Sequence, residues 1–281
     1  MTNRQTSKST AICKLLLFML LILLLAPVRG QNTNGFTFPD QPNSAYFKSY
    51  LVAAKAMAIA PLHWNTRQWI VSGSVLTAGV LLYVADDQIS DFFRRNQTTG
   101  SSNVSKYGLE PWGSGVYPAI LLGSYYLYGL AAHDPTARQI ALGGTQAWMM
   151  SALTVQLLKF VTHRHRPYQD MPANPGLWEG PFQGFEYTSF ASGHTITAFS
   201  LAAFFSSVYR DRPWVGVISY GIATGVGLSR IYDNQHWASD VVIGAALGVV
   251  IGRMVFKLMQ PESKLSMGVG GNGSILLVYQ F

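Results

Sequence analysis

The sequence predicts an all-α fold, an antiparallel bundle of about six to seven helices embedded in a membrane, with a short β-hairpin at its C-terminal end. Three observations carry that prediction. Apolar residues make up 49% of the chain and charged residues only 12%, against roughly a quarter charged in average soluble domains. Most apolar runs have helix length and are bounded by prolines or polar clusters. The end of the chain differs in kind. Leu265, Met267 and Val269 alternate with small or polar residues, Gly270-Gly271-Asn272-Gly273 offers a turn, and Ser274 to Phe281 is β-prone. Two strands cannot close a barrel, which needs about eight, so this end reads as a hairpin tail over 261–281.

At the other end, Arg4, Lys8 and Lys14 precede a compact apolar run, Leu15 to Ala26, followed by Pro27-Val28-Arg29-Gly30. That layout reads as a secretory signal peptide over 1–30 with cleavage after Gly30. The run is shorter than the ~20 residues a spanning helix needs. Its four basic residues have no acidic partner, so their removal takes the net charge from +7 to +3. The whole-chain charge therefore gives no reason to invoke nucleic acid. Cys13, the only cysteine, lies in this segment, so an exported chain has neither disulfides nor thiolate chemistry.

Residues 31–43, rich in Asn, Gln, Pro and Gly, read as a flexible lead-in to a helical domain over 44–260. Helices are expected over about 44–60, 68–85, 116–132, 138–163, 193–209, 213–229 and 238–257, divided by Pro61, Asp86-Asp87, Pro135, Pro167 and Pro213. Segments 70–85, 116–132 and 238–256 are apolar on every face and fit either thin spans or a buried core.

Three short blocks stand at helix ends. In the first, Lys159-Phe-Val-Thr-His-Arg-His-Arg166-Pro167, a helix ends in a burst of cationic and imidazole side chains. Taken alone, this is the ordinary way to place cations on a helix C-terminus. In the second, Ser189-Phe-Ala-Ser192-Gly193-His194-Thr195 leads directly into an apolar run. Ser192, Gly193 and His194 then occupy the first turn of a helix, where free N–H groups make either an anion site or a plain serine cap. In the third, Ser229-Arg230-Ile-Tyr-Asp-Asn-Gln-His236-Trp-Ala-Ser-Asp240, an imidazole and a carboxylate stand four residues apart. A carboxylate at that spacing fixes the ring tautomer and leaves the other nitrogen as a nucleophile.

Connection lengths bring the blocks together. Short loops make consecutive helices antiparallel neighbours, so the helix ending at the first block, the one starting at the second and the turn opening at the third share one end of the bundle. That end gathers Lys159, Arg166, Arg230, the Gly193 amide region and two histidines. Cations and amides can hold phosphoryl oxygens while a nucleophile and an acid work in line. Nothing in the set requires a metal or a cofactor.

The residues resemble the type 2 phosphatidic acid phosphatase superfamily, which includes bacterial acid phosphatases and vanadium haloperoxidases. Its signature is Lys, six residues, Arg-Pro; then Pro-Ser-Gly-His; then Ser-Arg, five residues, His, three residues, Asp. These parts match at Lys159, Arg166 and Pro167, at Ser192-Gly193-His194, and at Ser229, Arg230, His236 and Asp240. The resemblance covers about residues 115–257, and Ala191 stands where the family has proline. It implies a metal-free phosphatase in which His236 attacks phosphorus, Asp240 orients it and stabilises its positive charge, and His194 protonates the leaving oxygen. Lys159, Arg166, Ser192, Gly193 and Arg230 would bind the phosphate.

Two features around the site stay open. His163 and His165, with Asp170, have metal-ligand chemistry, which the crowd of cations disfavours. Trp178, Phe182, Phe185, Tyr187 and Phe190 stud the loop between the first two blocks and read either as an acyl-chain entrance or as packing over the bundle. If seven helices cross, the blocks lie on the exported face, and Arg67, Arg138, Arg210 and Arg212 lie on the cytoplasmic one. Lys48 and Lys55 make the first of those crossings costly. The favoured reading is a lipid phosphatase on the exported face of a membrane. The alternatives are a soluble acid phosphatase, a haloperoxidase and a non-enzymatic envelope protein. On the favoured reading, His236→Ala abolishes both phosphate release and phosphoenzyme trapping, and a variant that turns over at the wild-type rate would contradict the assignment.

Overall fold

The computed structural model describes residues 38–184, 186–260, 265–269 and 275–279. The signal-peptide reading, Cys13, Phe185 and most of the lead-in lie outside them. Seven long helices are described: α1 Ser44–Ile59, α2 Thr66–Arg95, α3 Val116–Ala131, α4 Pro135–Thr162, α5 Gly193–Val208, α6 Pro213–Tyr232 and α7 Ala238–Met259. Short helical turns fill 99–113 between α2 and α3. Leu265–Val269 (β1) and Ile275–Tyr279 (β2) pair antiparallel, with Leu265 opposite Tyr279 and Val269 opposite Ile275.

Helix starts follow local chemistry. Asn43 accepts from the Tyr46 amide to cap α1, and Asn65 and Gln68 form a reciprocal capping box on α2. Asp134 accepts from the Ala137 amide at the head of α4. Pro135 and Pro213 are the first residues of α4 and α6 rather than gaps between helices, because a proline at that position gives up no helical hydrogen bond.

One boundary is overturned. Asp86-Asp87 does not end a helix; α2 runs through both to Arg95. The Asp86 carboxylate is fully buried and accepts from Arg164 Nη2 at 2.7 Å and from the Ser239 amide at 3.0 Å. Tertiary partners thus override a local preference that would otherwise favour a break.

The core centres on α5, which packs on α4, α6 and α7 and buries residues around its whole circumference, among them Ile196, Leu201, Phe204 and Val208. Its closest partner is α7. Gly244, Gly248 and Gly252 recur every four residues along α7 and face the α5 backbone. A Cβ on Gly248 would lie 2.5 Å from the Ile196 carbonyl oxygen, and one on Gly252 would collide with the Ser200 carbonyl oxygen. Small residues at this spacing let two backbones approach without intervening side chains.

The outer helices are different. Only Gly79, Asp86 and Ser90 of α2 are buried, while Trp69, Ile70, Leu76, Val80, Leu81 and Val84 are exposed. Among the described residues, α2 and α7 are the helices long and apolar enough to cross a membrane. The segment read as all-apolar over 70–85 therefore presents an apolar exterior, and the segment over 238–256 contributes one face to the core.

The α5–α7 contact makes a direct prediction. Gly252→Ala forces backbone apart at the tightest point, and overpacking of this kind costs about 1–3 kcal/mol. Gly221→Ala in α6, where nothing lies within 4 Å of the added carbon, is neutral or slightly stabilising. Thermal unfolding of the two variants in detergent should show a clear loss for the first and none for the second.

Candidate active site

The three blocks do meet at one end of the bundle. α4 closes when His163 adopts a left-handed conformation with φ 43°, a helix-ending geometry glycine usually supplies. The chain then doubles back on itself. The His165 amide donates to the Leu177 carbonyl and the Glu179 amide to the His163 carbonyl, each at 3.1 Å. The Ser189 amide donates to the Arg164 carbonyl at 3.0 Å, which delivers Ser189 and then Ser192 to the head of α5. The Ser192 amide in turn donates to the Asp240 carbonyl at 3.3 Å, joining the start of α5 to the first turn of α7.

His236 lies in the short α6–α7 connection and is buried. Its Nδ1 sits 2.7 Å from the Ser189 carbonyl oxygen and 3.8 Å from Asp240 Oδ2. A carbonyl can only accept, so Nδ1 carries the proton and Nε2 the lone pair. The tautomer is therefore set by the Ser189 backbone rather than by a direct bond to Asp240, which the four-residue spacing predicted. The spacing misleads because α7 begins at Ala238, leaving His236 outside the helix whose face the carboxylate was expected to share. Burial, opposed by nearby Asp240, pushes the His236 imidazole down to about 4, so the ring is neutral near pH 7.

Asp240 is fully buried and engaged on both oxygens. Oδ1 accepts from Arg164 Nη1 at 2.5 Å. Oδ2 accepts from Ser189 Oγ at 2.5 Å and from the Trp237 amide at 3.0 Å.

His194, the second residue of α5, is held against the turn at 110–113. A Cβ on Gly113 would stand 2.5 Å from His194 Cβ and 2.7 Å from its ring, so the backbone there forms a wall for the imidazole. His194 Nε2 is buried with no hydrogen-bond partner, an uncommon state for a buried polar atom. Burial first, then the neighbouring Arg230, His236, Lys159 and Arg166, push this histidine down to about 3.

The cations are supported one by one. Arg166 donates through Nη1 to Gln235 Oε1 at 2.8 Å and through Nη2 to Thr188 Oγ1 at 3.1 Å. Arg230 donates to Asp233 Oδ2 at 2.8 Å, and Asp233 also accepts from Ser105 Oγ at 2.6 Å. Burial and the adjacent Arg166 lower Lys159 to about 8. Ser192 is buried and accepts from Thr195 Oγ1 at 2.9 Å, so its hydroxyl does not cap α5. Gly193 has room for a side chain, since an added Cβ would meet Val155 at an ordinary 3.5 Å. Packing does not require glycine there.

The histidines of the first block are otherwise occupied. His163 Nε2 is 3.0 Å from the Gly184 carbonyl oxygen. His165 lies between Asp170 Oδ2 at 2.8 Å and Glu179 Oε1 at 3.0 Å, stacked on Tyr187. Among the loop aromatics, Trp178 packs on Arg164 and Phe190, whereas Phe182 is 80% exposed. Sequence reasoning missed Arg164, Asp86, Ser189, Trp237 and Gly113. Arg164 was visible only as one of three cations in its block, and nothing in sequence ties Asp86 to a site more than seventy residues away.

Residues 145–264 match the family model of the PAP2 superfamily. The chain is also similar to a lipid A 1-phosphatase of Porphyromonas gingivalis, 47% identical over 52 residues, or 18% of this chain and 12% of that protein. It thus spans about an eighth of the length of that curated relative. Two solved structures are similar at 21% identity. One is a transmembrane PAP2-type phosphatidylglycerolphosphate phosphatase from Bacillus subtilis, with a TM-score of 0.45, covering 75% of this chain and 92% of that one. The other is LpxE from Aquifex aeolicus, with a TM-score of 0.47, covering 60% and 93%.

Proposed function

We propose that the protein is a membrane-bound phosphatase that removes phosphate from phosphorylated lipids through a phosphohistidine on His236. The observation that carries this reading is the buried, neutral His236 with Nδ1 tied to a carbonyl and Nε2 left with the lone pair, beside three cations and a second buried histidine. In the first step Nε2 bonds to phosphorus while the bond from phosphorus to the lipid oxygen breaks, and that oxygen takes a proton from His194. In the second step water attacks phosphorus, its proton passes to His194, and the phosphorus–nitrogen bond breaks to regenerate His236. Lys159, Arg166 and Arg230, with the Ser192 hydroxyl and the Gly193 amide, hold the phosphoryl oxygens.

His194 must carry a proton when the ester bond breaks, yet its burial, and then the nearby cations, hold it neutral. A bound phosphate resolves the conflict, because its negative charge offsets those cations and either brings the proton itself or lets His194 acquire one. The lipid substrate and the membrane setting are supported by the apolar exteriors of α2 and α7 and by the short match to a lipid A 1-phosphatase. On this reading the active site faces the exported side, which the signal-peptide layout of the sequence supports.

The test is phosphate release by the detergent-solubilised protein from phosphatidylglycerol phosphate, an isoprenoid diphosphate, a phosphorylated glycolipid and a small soluble ester. One of the lipids should exceed the soluble ester by at least tenfold in kcat/KM. Equal turnover of all four, together with release from membranes by carbonate wash, would favour a soluble acid phosphatase.

The pH dependence has a definite sign. Below about 4 His236 is protonated and loses its lone pair, so activity falls on the acid side. Above ~6 a phosphate monoester loses its second proton, and the proton needed by the leaving group becomes scarce. The pH profile of kcat/KM for a monoester should be a bell between these limits, with its maximum in the weakly acidic range.

A further inference from the structure

We infer that Arg164 is a positioning residue for the histidine nucleophile, braced from α2 by Asp86. The inference rests on the phosphohistidine reading above. Arg164 is 1% exposed and belongs to neither the phosphate-binding set nor the reacting pair. Its guanidinium is used in three directions: Nε to the Pro175 carbonyl at 3.1 Å, Nη1 to Asp240 Oδ1 at 2.5 Å and Ser239 Oγ at 2.8 Å, and Nη2 to Asp86 Oδ2 at 2.7 Å. Tyr83, Trp178 and Trp237 box the cation, with ring centres 4.9–5.4 Å away.

These contacts close a ring around His236. The Arg164 carbonyl holds the Ser189 amide and the Arg164 side chain holds Asp240. Asp240 accepts the Ser189 hydroxyl, and the Ser189 carbonyl accepts His236 Nδ1. Every link that orients the imidazole therefore returns to Arg164 within three hydrogen bonds. Asp240 Oδ1 is anchored by the guanidinium, which leaves Oδ2 turned toward Ser189 and 3.8 Å from the histidine. There it can offset the positive charge the ring acquires on phosphorylation.

Asp86 completes the device from a helix that buries almost nothing else. Its Oδ2 also accepts from Ser239 Oγ at 2.5 Å and its Oδ1 from the Ser239 amide, so it braces the first turn of α7 and the far side of Arg164 together. Buried ion pairs contribute little net stability and can often be replaced by apolar groups without loss. An aspartate buried on the otherwise apolar face of a long helix is therefore better explained by orientation than by adhesion. Arginine is required because one planar fork reaches two carboxylates and stacks on aromatic rings, which a lysine ammonium does not reproduce.

The experiment uses the full chain in detergent, with functional sites counted by vanadate binding and inorganic phosphate as a competitive inhibitor. Arg164→Lys should lower kcat per vanadate-binding site at least tenfold while the phosphate inhibition constant stays within threefold, because Lys159, Arg166 and Arg230 are untouched. Asp86→Asn should show the same split with a smaller fall in kcat. A purely structural role would reduce the number of binding sites and leave kcat per site unchanged; that result, or a loss of phosphate affinity in step with kcat, overturns the inference. If Arg164→Lys does not fold, Asp86→Asn carries the test, and wild-type kcat per site in that variant overturns it equally. A wild-type protein that releases phosphate from none of the four substrates, or a fully active His236→Ala, would instead remove the phosphatase reading and this inference with it.

Discussion

The contact on which the site depends is the approach of α5 to α7 along Gly244, Gly248 and Gly252. Because no side chains intervene, the start of α5 comes close enough to the start of α7 for the Ser192 amide to reach the Asp240 carbonyl. That single backbone link sets the second sequence block beside the third. The first block is then drawn in by the looped-back segment after His163, whose amides and carbonyls are spent on one another. The geometry at the end of the bundle is thus decided in its middle, by backbone packing that leaves little freedom to either helix.

The electrostatics of the site follow from that enforced proximity. Lys159, Arg166 and Arg230 converge with two histidines where burial already disfavours charge, so the histidines are held neutral and Lys159 is pushed down. Repulsion among like charges where burial is high is a standing cost, and it is relieved when an anion enters. On the proposed reading, binding specificity for a phosphate and the protonation state needed for catalysis then have one origin. The substrate would bring the negative charge that balances these cations, and the proton balance of His194 would change when it arrives.

Much of this was legible in the sequence. The seven long helices and the convergence of the three blocks came from apolar run lengths and short connections, which report directly on local structure and topology. The boundary at Asp86-Asp87 did not, because two consecutive aspartates carry a local signal for a break, whereas Asp86 is held by Arg164 and Ser239 from elements far along the chain. The place of Asp240 near His236 was legible by position but not by contact. A spacing of four implies a shared helical face only if both residues are helical, and His236 is not. Ser189 escaped notice for a related reason: it acts partly through its backbone carbonyl, which every residue has and no sequence pattern marks. Gly113 is a further case, since its importance lies in the absence of a carbon that would strike His194.

The same distinction explains why α2 matters although little of it touches the core. A helix with an apolar exterior and three buried residues has weak grounds for a fixed rotation about its own axis, since one apolar side chain facing outward is much like another. A buried carboxylate removes that indifference. Leaving Asp86 without its partners would cost far more than turning any leucine, so the rotation that seats it on Arg164 and Ser239 is strongly selected. Gly79 lies on the same buried side, where an added carbon would meet Ile243 of α7 at 2.8 Å, so close approach and polar pairing agree on one orientation. On the proposed reading, α2 faces lipid with the rest of its surface. A helix in that position is thereby oriented by the same ionic group that aligns His236, and its seating and the alignment of the nucleophile become one structural event.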